Sequence, residues 1–127
     1  MTSPHMRDRY LQESIKTASP GTLLVMLYDR LVRDLTQGEE ALRTGQREAA
    51  HEQLVHAQDI VMELRTTLDV DSWEGAPGLA DLYGYILVEL IAANVNRDPG
   101  KVATCRELIE PLRDAWREAA AASAAGA

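Results

Sequence analysis

Thr17-Ala18-Ser19-Pro20-Gly21-Thr22-Leu23-Leu24-Val25-Met26-Leu27-Tyr28-Asp29 reads as the beginning of a long helix. Ser19 stands where its hydroxyl can accept a free backbone N–H of the first turn. Pro20 follows at the first helical position, where its missing N–H costs nothing. Leu23, Leu24, Leu27, Leu31, Leu35 and Leu42 recur at helical spacing. Gly45 supplies a C-terminal stop, so a helix is predicted from Pro20 to about Arg43. Such a start occurs in many unrelated proteins. Its physics gives a helix and no function.

Three more helices are predicted downstream. The second runs from about Gln46 to Leu68, with Ala50, Leu54, Ala57, Val61, Leu64 and Leu68 stepping by four and three as in a bundle seam. Asp69 to Gly78 carries two glycines and one proline and breaks the pattern. The third helix is predicted from about Leu79 to Arg97. Asp98-Pro99 repeats the cap-then-proline signal and opens the fourth, which continues to about Ala120 through Val102, Cys105, Ile109, Leu112 and Trp116. No strand pattern or internal repeat is visible. The fold class is therefore all-α, an antiparallel up-down four-helix bundle over residues 19–120. Residues 1–18 form a short, weakly helical segment that must dock to be ordered, and 121–127 an alanine-rich tail expected to be disordered.

A chain of 127 residues is long enough for one domain with a substantial core. Hydrophobic residues are 46% and charged residues 26%, as in ordinary globular proteins. No apolar run reads as the ~20 residues of a membrane span, and the N-terminus lacks the pattern of a signal peptide. The net charge is −7 and Lys occurs only at Lys16 and Lys101. No basic stripe is available for nucleic acid or anionic lipid. The single Cys105, on an apolar helix face, reads as a small core residue. A reducing cytoplasm fits these features.

The third helix has too much apolar surface. Stepping ~100° per residue, Leu79, Leu82, Tyr83, Ile86, Leu90 and Ala93 form one face. Gly84, Leu87, Val88, Ile91 and Val95 form another on the far side, and Glu89 is the one charge between Leu82 and Asn96. The second helix adds Val55 and Met62 away from its seam. A helix that is apolar all round must be covered all round, by a partner helix, a second copy, or the N-terminal segment folded back. The outer stripe is read as a groove for an amphipathic helix. Val25, Tyr28 and Val32 on the first helix suggest an additional groove.

Catalytic and metal readings find little support. Glu48-Ala49-Ala50-His51 has the spacing of di-iron bundles but occurs once, with Ala50 rather than His51 on the seam. His51 and His56 leave a phosphotransfer domain as an alternative, without a neighbouring Lys or Gly to position a phosphate. Asp69-Val70-Asp71 is turn chemistry rather than a calcium loop. No cofactor or metal is expected, and nothing argues for an enzyme.

The wording of the opening stretch is more specific than its physics. Tyr10, Ile15, Thr17-Ala18-Ser19-Pro20 and Met26-Leu27-Tyr28-Asp29 resemble the opening of the FliS family of flagellar export chaperones. Ala57-Gln58-Asp59-Ile60, Glu63-Leu64, Leu68-Asp69, Leu82-Tyr83 with Tyr85, Ala93-Asn94 and Ala115-Trp116 continue the likeness in order. Trp73-Glu74-Gly75-Ala76-Pro77-Gly78 departs from the family's Gly-Gly element. The resemblance implies a four-helix bundle with a short N-terminal helix laid across it. It also implies a cytoplasmic partner of flagellin that covers flagellin's C-terminal helical segment and presents it to the flagellar export machinery. Tyr10, Leu11 and Ile15 would belong to an N-terminal segment that covers part of the client surface, with Tyr10 contacting that machinery. The competing reading is a non-catalytic homodimeric scaffold.

Overall fold

The computed structural model describes residues 20–126, which form four helices. They are α1 (Pro20–Arg43), α2 (Arg47–Thr67), α3 (Ala76–Asn96) and α4 (Pro99–Gly126). Each packs on the next, and α4 closes the ring against α1. Cross-contacts show every neighbouring pair to be antiparallel: His56 with Asp34, Asn94 with His51, Lys101 with Glu89, and Arg106 with Glu39. The predicted up-down bundle is the fold.

Local chemistry sets the joints. Gly45 adopts φ 73°, and the Gln46 N–H returns to the Ala41 carbonyl, closing α1. Asp69 Oδ1 accepts the Asp71 N–H at 3.0 Å, and its carbonyl accepts the Ser72 hydroxyl at 2.6 Å, as expected of turn chemistry. Asp98 Oδ1 accepts the Gly100 and Lys101 N–H groups at 3.0 and 3.3 Å and caps α4.

The core runs the length of the bundle through Leu31, Leu35, Leu54, Val61, Ile86, Leu90, Val102 and Ile109, all fully buried. Cys105 is among them, and burial pushes its thiol up to about 11. Tyr28 and Tyr83 meet at its centre, hydroxyl to hydroxyl. Desolvation raises both phenols, and each satisfies the other's buried oxygen. Trp116 leans on Tyr28, with ring centroids 6.5 Å apart, and Trp73 meets Trp116 edge to face at 6.3 Å.

Three expectations are corrected. The third helix begins at Ala76, three residues earlier than predicted, because Pro77 sits in its first turn and Ala76 is wholly buried. The fourth runs through the alanine-rich stretch to Gly126 instead of ending near Ala120; alanine is the best helix former. By length and composition α3 is apolar enough to cross a membrane, although no such run was expected. Its Tyr83, Ile86, Leu90 and Ala93 are packed inside the bundle.

Candidate functional site

Two observed pairs fix the register of α2 against α3. The Asn94 amide reaches His51 Nδ1 at 3.0 Å near one end. Near the other, the Arg65 guanidinium lies 3.6 Å from where a Cβ on Gly84 would stand. Between these levels the outward flank of α2 presents Val55 and Met62. The facing flank of α3 presents Leu87, Val88 and Ile91, and Val95 lies just beyond Asn94. Val88 is 64% exposed, Ile91 50%, Val95 74% and Met62 55%. Val55 is exposed as well, and Leu87 is half-buried against the core. Gly84 is half-buried and adds no side chain, so the candidate trough is a strip of exposed apolar side chains with Arg65 at one end.

The ion pairs lie elsewhere. Arg106 bridges to Glu39 at 2.9 Å and Arg117 to Asp29 at 2.6 Å, tying α4 to α1. Lys101 bridges to Glu89 at 3.1 Å, tying α4 to α3 and pairing the charge that interrupts α3. Among the described residues no ion pair spans α2 and α3.

The additional groove on α1 is corrected. Tyr28 points straight into the core and is fully buried. Val25 and Val32 lie on the flank of α1 that turns towards α4, the side from which Gly21 approaches Ala120 and Glu39 meets Arg106. Both are half-buried, and Val32 packs on the core. The expected seam residues Leu31 and Leu35 remain fully buried, and Tyr28 joins them. What α1 leaves open is the other flank, Leu23, Met26 and Leu27, facing α2. Tyr10, Leu11 and Ile15 lie outside the described residues.

Two features escaped the sequence reading. The first is Asp34, 1% exposed, whose carboxylate accepts Arg30 Nε at 3.1 Å and the His56 ring. The Arg30-Asp34 spacing of four residues was a visible signal; that Asp34 faces α2 was not. The second is an open cavity of about 470 Å³ at the end of the bundle, walled by Pro20, Leu24, Leu27, Leu64, Trp73 and Trp116. Trp73 was noted as unexpected in its loop, and it forms one wall.

The chain is an all-α, antiparallel four-helix bundle that exposes an apolar strip along α2 and α3 among the described residues. Residues 2–123 match the family model described as flagellar protein FliS. The flagellar secretion chaperone FliS of Bacillus subtilis is 33% identical over 110 residues, covering 87% of this chain and 82% of the relative. That of Vibrio cholerae is 29% identical over 107 residues, covering 84% and 79%. A solved structure described as a flagellar chaperone from bacteria superposes with a TM-score of 0.73 at 26% identity, covering 91% of this chain and 97% of that one. The chain belongs to the FliS family of flagellar chaperones.

Proposed function

We propose that the α2–α3 trough binds the C-terminal helical segment of flagellin, holds it from premature polymerisation in the cytoplasm, and delivers it to the flagellar type III export apparatus. The observation that carries this reading is the exposure of Val88, Ile91, Val95 and Met62 on one continuous strip, without a covering element among the described residues. Burying apolar surface is worth roughly 25 cal/mol per Å², so a client helix laid along the strip gains most from these side chains. The N-terminal segment with Tyr10, Leu11 and Ile15 covers part of this apolar surface until a client arrives, and Tyr10 then meets the export machinery.

Two neighbouring substitutions test the trough. Leu90 is fully buried and Ile91 half-exposed. Ile91→Asp places its carboxylate in water and should cost at most ~1 kcal/mol of stability. In the complex the same carboxylate is buried without a partner, which costs several kcal/mol and weakens binding a hundredfold or more. Leu90→Asp should unfold the bundle. Thermal melts and titrations with a flagellin C-terminal peptide read both. A folded Ile91→Asp chain that binds the peptide normally would remove the trough as the client site.

A further inference from the structure

The opposite flank of α2 borders a second opening, about 400 Å³, between α2 and the outer flank of α1. Its chemistry differs from that of the trough. One half is apolar, formed by Leu23, Met26, Leu27 and Ile60. The other half is cationic, formed by Arg30 and Arg33 beside His56, on a chain whose net charge is −7. Asp29 also lines it, but its carboxylate is engaged by Arg117 at 2.6 Å on the α4 side.

The cationic half is built. Asp34 lies behind it, 1% exposed, and uses both oxygens to hold the donors in place. Oδ1 takes Arg30 Nε at 3.1 Å, and Oδ2 takes His56 Nδ1. The two terminal amino groups of Arg30 are left for an outside acceptor. Arg33 lies beside them with no ion-pair partner among the described residues. An Arg guanidinium offers paired donors that match a carboxylate. Leu23, Met26, Leu27, Arg30 and Arg33 lie along one flank of α1, apolar first and basic after, a flank that a helix running parallel to α1 would cover over about three turns.

We infer that the α1–α2 flank is a second docking site, for an acidic amphipathic helix of a partner protein whose aliphatic side chains enter the Leu23–Met26–Ile60 half and whose Glu or Asp side chain meets Arg30 and Arg33. The charge pattern selects the occupant: an apolar helix without acidic side chains would leave the two arginines unused, and a basic one would be repelled. This site is separate from the α2–α3 trough and does not rest on the function proposed for it.

Two methionines make the two faces separately readable, since Met26 borders this site and Met62 the trough. The full-length chain, labelled at methionine methyls, is titrated with a 14-residue amphipathic helical peptide, acetylated and amidated, carrying aliphatic residues in its first half and two Glu in its second. A twin carries Gln at those two positions, and a third peptide is the Gln twin with a free C-terminal carboxylate. Saturable shifts of the Met26 methyl and the His56 ring are expected with the Glu peptide, with at least tenfold weaker binding of the Gln twin. Arg33→Gln should reduce that preference to about twofold or less, and Ile91→Asp should leave it unchanged. Equal binding of the Glu and Gln peptides, or shifts at Met62 rather than Met26, overturns the inference. Recovery of tight binding by the free C-terminal carboxylate alone assigns the site to chain ends and overturns it too. So do contacts in the free protein between the Met26 methyl and Leu11 or Ile15 that the peptide does not displace, since the chain's own segment is then the occupant.

Discussion

Asp34 is a buried charge with two partners that both reach the surface: Arg30 and His56 side chains are 46% and 45% exposed. The cost of breaking this cluster therefore depends on which member is removed. Asp34→Leu leaves two polar side chains that can turn into water, and its effect on stability should stay near ~1 kcal/mol. Replacing Arg30 and His56 together by Ala leaves a buried carboxylate alone, which should cost about 3–5 kcal/mol. Urea unfolding at neutral pH compares the two, and the reverse order would mean that Asp34 is solvated in the native state. Cys105 makes a second prediction at this scale. Burial raises its thiol from 9.0 to about 11, so the folded chain holds this proton more tightly than the unfolded chain does. The stability that follows is complete below pH 9.0 and is lost as the pH climbs towards about 11. Tyr83, also raised by burial, continues the loss above its ordinary range. Melting temperature measured from pH 8 to 11 should fall, and Cys105→Ala should flatten the first part of that fall.

At the scale of the element, the α2–α3 joint carries an unusual constraint. Gly75 has φ −79°, a conformation open to any residue, so its lack of a side chain serves space rather than backbone freedom. A Cβ there would stand 1.9 Å from the Trp73 ring. Gly75→Ala must therefore lift Trp73 off its edge-to-face contact with Trp116, a contact of a kind worth about 0.5–1.5 kcal/mol. The loss should vanish when Trp73 is already Ala, because nothing is left to clash. A double-mutant cycle by thermal melting, with Trp fluorescence reporting the released ring, measures this coupling. A Gly75→Ala penalty that persists without Trp73 would place the constraint elsewhere. The same joint shows where sequence reading ends. Ser19 lies outside the described residues, but Gly45 and Asp98-Pro99 were legible because a cap is decided by a few adjacent residues. The start of α3 was not, because Ala76 and Gly75 are fixed by contacts with a loop tryptophan and the core. The exposure of the second apolar face of α3 was legible because α3 carries two such faces and a bundle covers only one. The facing of α1 was misjudged because Tyr28, amphipathic and midway between stripes, could be assigned to either. Only its partner Tyr83, 55 positions away, draws it into the core.

The whole molecule presents one question that neither a residue nor a helix answers, whether two copies would cover each other's trough. The exposed apolar side chains of that face are Val55, Met62, Val88, Ile91 and Val95. A stable interface takes about 20–30 residues a side and about 800 Å² per partner. Five side chains on one strip fall well short, and lie in the range of the largest patch on an ordinary monomer, about 300–600 Å². A net charge of −7 on each copy adds repulsion wherever two acidic surfaces approach. A client helix avoids both limits, since it can be long, can wrap beyond the strip, and can bring basic or neutral side chains to the rim. The free chain should therefore sediment as a monomer. Ile91→Asp should leave that behaviour unchanged, and a flagellin peptide should convert the chain to a one-to-one complex. A dimer that Ile91→Asp dissociates would give the trough to a second copy, and the homodimeric scaffold would become the better reading of the same surface.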